Sequence, residues 1–188
     1  MSARPKVSRD DIAQAALALV RERGHEHLTA RAVAMRLGCS TQPVLYHFAS
    51  MDELRAAAYR AADELHSSFI TSGIEAADEP LRYLGENYVR FARDEPHLFR
   101  FLFQSGAFDG QGLASLVDDP AILPLVDMVR KAADLDTQGA REVFLTIFVA
   151  AHGLASLIAN NAVNYDEAQV AGVLDAAFAG ALQTRKEG

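Results

Sequence analysis

The chain has 188 residues, half of them hydrophobic and 23% charged, which is the balance of a globule large enough to bury its own core without covalent staples. Its single cysteine, Cys39, excludes an intramolecular disulfide and reads as a small filler in a reducing compartment. The net charge of -7 hides an asymmetry: residues 1–60 hold nine Lys/Arg against six Asp/Glu, or +3, which leaves nine against nineteen, or -10, for residues 61–188. A basic head on an acidic body is expected.

The opening MSARPKVSRDD has no apolar core, so it does not read as a secretory leader and a cytoplasmic location is expected. Residues 1–7 form a short arm carrying Arg4 and Lys6. Ser8 is placed to cap a first helix, with Asp11 able to reach back to it. Ile12, Ala15, Ala16, Leu19 and Val20 follow at helical spacing until Gly24 ends the element. His25 and His27 have no Cys or carboxylate cluster at metal-site spacing and read as a solvated loop, so no metal and no cofactor are expected.

Thr29 to Phe48 is the stretch around which the rest is organised. Thr29 N-caps a two-turn helix whose Val33, Ala34 and Leu37 share a face. Gly38 stands where a helix end needs positive φ, and Ser40 opens a second helix with Pro43 in its first turn, where a missing N–H costs nothing. Val44, Leu45 and Phe48 are expected to face inward, and Thr41, Gln42, Tyr46 and His47 outward. This is helix-turn-helix spacing with an outer face suited to phosphates and base edges. Ser50 and Glu53 then form a capping box for a long connecting helix to about residue 74.

These residues resemble the DNA-binding domain of the TetR family of transcriptional regulators over roughly Ser8 to Tyr59, through LTARAVAMRLGCS followed by Tyr46, His47 and Phe48. Met51 stands where that family often has Lys. The resemblance implies an all-α fold: a three-helix DNA-binding domain with a helix-turn-helix at 1–52, and a helical ligand-binding and dimerisation domain at 53–188. In this reading Thr29, Arg31, Ser40, Tyr46 and His47 hold phosphates. Thr41 and Gln42, with a methyl contact from Pro43, read bases, Gln with adenine being the leading pair.

Beyond Asp78, Pro80, Pro96 and Pro120 each follow an acidic residue and mark helix starts. Helices are predicted over 79–94, 96–104, 119–134, 138–161 and 166–184, with a Gly-containing loop over 104–111. The apolar run 143–159 is short of the roughly 20 residues of a membrane span and reads as a buried helix. Ala151, Ala155 and Ile158, with the stripe Val170, Leu174, Phe178 and Leu182, are expected to build a two-fold four-helix interface, since two half-sites need two heads. Tyr88, Phe91, Phe99, Phe103, Phe148 and His152 are the expected lining of an apolar ligand pocket. DEPHLFRFLF and AAHGLASL look like TetR bodies of the Trp-His-Gly kind, with Ala151 in place of the Trp.

The leading reading is a homodimeric repressor, released from a palindromic double-stranded operator by a small, largely apolar organic molecule. The alternative is a helical small-molecule-binding or scaffold protein with a vestigial DNA-binding head. No nucleophile motif, Gly-rich phosphate loop or paired carboxylates suggest an enzyme.

Overall fold

The computed structural model describes residues 7–105 and 113–187, so all but the last residue of the arm expected at 1–7 and most of the loop expected at 104–111 lie outside the described residues. The elements described are α-helices and short 3-10 turns, with no strand among the described residues. They are α1 (Arg9–Arg23), α2 (Ala30–Arg36), α3 (Thr41–His47), α4 (Met51–Thr71), α5 (Pro80–Asp94), α6 (Pro96–Phe103), α7 (Leu123–Ala133), α8 (Thr137–Ala159) and α9 (Glu167–Glu187). The chain folds as two compact units, Met1–Ser68 with Glu95–Ala107, and Phe69–Asp94 with Phe108–Gly188. The boundary expected at 52/53 falls in the first turn of α4, which stays with the first unit through Ser68.

At the head of α1 the local signals act as read. Ser8 and Asp11 form the full capping box of α1, the Ser8 N–H donating to Asp11 at 2.9 Å and the Asp11 N–H to Ser8 Oγ at 3.1 Å. At the head of α4 the box is displaced by one residue. The Glu53 N–H donates to Ser50 Oγ at 3.1 Å, but the Glu53 carboxylate accepts from Ala49 rather than Ser50, at 2.8 Å. Ile12, Ala16, Val20, Val33, Val44, Phe48, Leu54 and Ala58 make the buried centre.

The helix α6 belongs to this first unit, not to the body where sequence order would put it. Leu98, Phe99, Phe101 and Leu102 are buried together, too much apolar surface for a seat at the edge. The Phe101 ring stacks on His25 at 5.8 Å and meets Tyr59 edge-on, whose hydroxyl donates to the Leu102 carbonyl. Glu95, just before the helix, accepts two hydrogen bonds from Arg21 of α1.

In the second unit α8 lies against α5, α7 and α9. It is long and apolar enough to cross a membrane by length and composition alone; here those neighbours cover one side of it. Asp136 caps it through the Gly139 N–H at 2.7 Å. Asn87 on α5 donates to the carbonyls of Ile70 and Ser72, satisfying acceptors that the end of α4 leaves open. Pro80 and Pro96 do open α5 and α6, but Pro120 does not open α7. A helix begun there would meet Pro124 one turn later, where the missing N–H and the ring clash break the ladder. Residues 119–122 form a turn instead, and the helix starts at Leu123 with Pro124 in its first turn.

Candidate DNA interface

The turn between α2 and α3 is a Schellman motif: the Cys39 N–H donates to the Ala34 carbonyl at 3.0 Å and the Gly38 N–H to Met35 at 3.1 Å. It requires φ of +64° at Gly38, which a side chain would oppose. Val33 and Ala34 on α2 and Val44 on α3 are buried, so the two short helices are locked through small and branched side chains.

The outer face differs from expectation at two positions. Leu45 is 59% exposed rather than inward. On a seven-residue helix the pair Val44 and Phe48, one turn apart, fills the core-facing direction, and Leu45 lies about 100° away from Val44. His47, expected outward, is half-buried, with Nε2 3.1 Å from the Val7 carbonyl and its ring edge-on to Tyr46. The exposed side of α3 therefore consists of Thr41, Gln42, Leu45 and Tyr46, the last 80% exposed, with Pro43 half-buried beside them.

Thr29 is exposed, but its hydroxyl is engaged as the N-cap of α2, accepting from Ala32 at 3.1 Å. Ser40 N-caps α3 by position while its side chain makes no capping bond. Arg31 is exposed and makes no ion pair among the described residues. By contrast Arg9 is paired with Glu53 and lies over the Phe48 ring, and Arg36 is held by both oxygens of Glu22 at 2.7 Å. Neither α2 nor α3 contains an acidic residue, so no carboxylate of these two helices opposes a polyanion.

The expected ligand residues fall into separate groups. Tyr88, Phe148 and His152 come together in the second unit: the Tyr88 hydroxyl is 2.9 Å from His152 Nδ1, and the Phe148 ring stacks on the imidazole at 5.6 Å. Burial pushes the Tyr88 phenol up and the His152 imidazole down, so both are neutral near pH 7. Phe91 is fully buried against Phe69. Phe99 and Phe103 lie in the first unit, their rings 5.0 Å apart, with Phe103 edge-on to His66.

Of the residues expected at a dimer interface, Ala151, Ala155, Ile158, Val170 and Leu174 are buried within the protomer, and Phe178 and Leu182 pack half-buried against its core. The apolar residues left outside are their neighbours. Val149 and Leu157 on α8 are 48% and 47% exposed, and Val173 on α9 is 42% exposed. Gly153 and Gly180 have open space where a Cβ would stand.

Comparison with known proteins agrees with this architecture. The pattern of the bacterial regulatory proteins, tetR family, matches residues 12–58, and that of the tetracyclin repressor-like C-terminal domain matches residues 81–182. Among solved structures, a TetR-like transcriptional regulator from Rhodococcus sp. RHA1 is 14% identical with a TM-score of 0.63, covering 96% of this chain and 99% of its own. Another Rhodococcus transcriptional regulator is 20% identical with a TM-score of 0.65, covering 94% and 97%. A structure described as multidrug binding protein EbrR complexed with imidazole is 21% identical with a TM-score of 0.57, covering 90% and 88%. No curated protein matches the chain. With one pattern covering the helix-turn-helix and the other more than half of the chain, the protein belongs to the TetR family of bacterial transcriptional regulators.

Proposed function

We propose that the protein is a cytoplasmic repressor that binds a palindromic operator as a homodimer and is released by a small, largely apolar molecule. The observation that carries this reading is the exposed side of α3: Thr41, Gln42, Leu45 and Tyr46 stand outward on a helix fixed by the Gly38 turn, with no acidic residue on either helix. Hydroxyl and amide groups on such a face hydrogen-bond phosphates and base edges in a major groove. Arg31, Ser40 and Tyr46 are the phosphate contacts in this account, and Thr41 and Gln42 the base contacts. Pro43, Thr29 and His47 contribute position, the last two through the bonds that already hold them.

Two substitutions test the assignment. Replacing Gln42 with Ala is expected to relax base preference at one position of each half-site by about 1–3 kcal/mol, read from selection profiles; an unaltered profile would remove Gln42 from the readout. Leu45 is the one large aliphatic side chain on this face, and its partner in the groove is the C5-methyl of thymine. Replacing thymine by deoxyuridine at one step of the half-site should then weaken the wild type about fourfold, the worth of roughly one buried methyl(ene) group at ~0.8 kcal/mol. Leu45→Ala should be indifferent to the same change. Equal sensitivity in both would refute the contact.

The second copy is placed on the outer side of α8 and α9, where Val149, Gly153, Leu157, Val173 and Gly180 are exposed. Apolar surface of this kind on a protein with a two-fold target favours an isologous contact. Ligand release then works through differential affinity: a molecule that binds better to the state whose heads do not match successive half-sites lowers operator affinity, and the operator lowers the affinity for that molecule by the same factor. The helix α4 runs from the first unit into the second and is one of the covalent links between them.

A further inference from the structure

The second unit contains a partly open cavity of about 560 Å³, within the usual size range of small-molecule sites. It lies among the first turns of α5, the last turns of α7, and the middle of α8 and α9. None of Tyr88, Phe91, Phe148 or His152 lines it. Its walls are apolar, chiefly Leu81, Met128, Ile147, Leu174 and Phe178. At Gly85 a Cβ would stand 3.1 Å from a Leu174 methyl, so the glycine lets α9 close that wall directly against α5.

The rim is unbalanced in charge. Arg82 is shared among three carboxylates, Glu86 at 3.0 Å, Glu79 at 3.2 Å and Asp175 at 3.6 Å. Lys131 shares Asp127 with Arg130, at 2.7 and 2.8 Å. Asp78 makes no ion pair among the described residues. The charged residues that line the cavity are three carboxylates, Asp78, Glu79 and Asp175, against the two cations Arg82 and Lys131, so one carboxylate is left over. An anionic ligand would meet repulsion there, whereas a cationic nitrogen would be attracted.

We propose that this cavity binds a small organic cation, an apolar body lodged among Leu81, Ile147 and Phe178 with an ammonium group at the Asp78 and Asp175 rim. The inference rests on the reading of the protein as a ligand-responsive regulator and names the chemistry of that ligand. Calorimetric titration of the full-length protein at pH 7.5 with 4-butylbenzylamine, 4-butylbenzyl alcohol and 4-butylbenzoate separates charge from shape. The amine should bind tightest and the carboxylate weakest. Asp78→Lys, a change at an exposed position, should weaken the amine about fivefold, the scale of a rim ion pair, and leave the alcohol unchanged. Ala132→Trp, which fills the mouth from the exposed end of α7, should abolish binding of all three. A carboxylate that binds as well as the amine, an amine indifferent to both variants, or no binding of the amine would each overturn the proposal. DNA binding by the same preparation without any amine is the separate control. Specific DNA binding with no amine bound sinks the cavity proposal alone, while an amine bound in the absence of specific DNA binding sinks the regulator reading alone.

Discussion

Acidification from pH 8 to pH 5 is expected to cost the folded protein about 2 kcal/mol through His66 alone. His66 is 7% exposed on α4, edge-on to Phe103, and burial pushes its imidazole down to about 4 from the ordinary 6.5. The folded state therefore keeps it neutral while the unfolded chain takes up a proton below pH 6.5. Because the unfolded state binds more protons, stability is fully present above pH 6.5 and falls as the pH drops toward 4. At pH 5 the gap of about 1.5 pH units from the unfolded value is worth roughly 2 kcal/mol. Partial burial shifts His152 in the same direction, so it adds to the loss. Urea unfolding at pH 8 and pH 5 measures the step, and His66→Leu should remove most of it. A variant that loses as much stability as the wild type would show that His66 is not its source.

A charge on the outer side of α9 or α8 is expected to give monomers and to lower operator affinity on the order of 10²–10⁴, the avidity that joins two weak half-site contacts. Val173→Arg and Leu157→Arg are the informative changes, because both residues are exposed in the protomer and either substitution leaves the internal packing in place. Leu174→Arg would not be, since Leu174 is buried against α5 and its loss confounds folding with assembly. Sedimentation of both variants reads the outcome directly. Intact dimers that still bind the operator would place the interface on another surface.

How much was legible in the sequence depended on the range over which the deciding force acts. The Ser8 and Asp11 box, the Thr29 cap and the Gly38 turn are fixed by residues within five positions of one another, and each stands as read. The start of α7 was equally local, but its signal was Pro124, whose missing N–H overrode the acidic-Pro pair before it. Leu45 was ambiguous because seven residues are too few to fix the phase of an apolar face when Val44, Leu45 and Phe48 all compete for it. The place of α6 was beyond local reading: a run as apolar as Phe99 to Phe103 demands burial without saying against which partner. The stripe Val170, Leu174 and Phe178 carried the same ambiguity, and α5 and α8 of the same chain cover much of what looked available to a second copy. The cavity at the Asp78 rim was not legible, since its lining comes from four helices distant in sequence.

The most direct test of the central claim, that the exposed side of α3 reads DNA as one of a symmetric pair, is selection of bound sequences from a random double-stranded pool by the purified protein at two salt concentrations. A palindromic consensus is expected, with half-sites about one helical turn or a multiple of it apart and with bases that persist at the higher salt. Retention without sequence preference that disappears with salt, or no retention at all, would contradict the account and leave a helical ligand-binding protein whose head no longer reads.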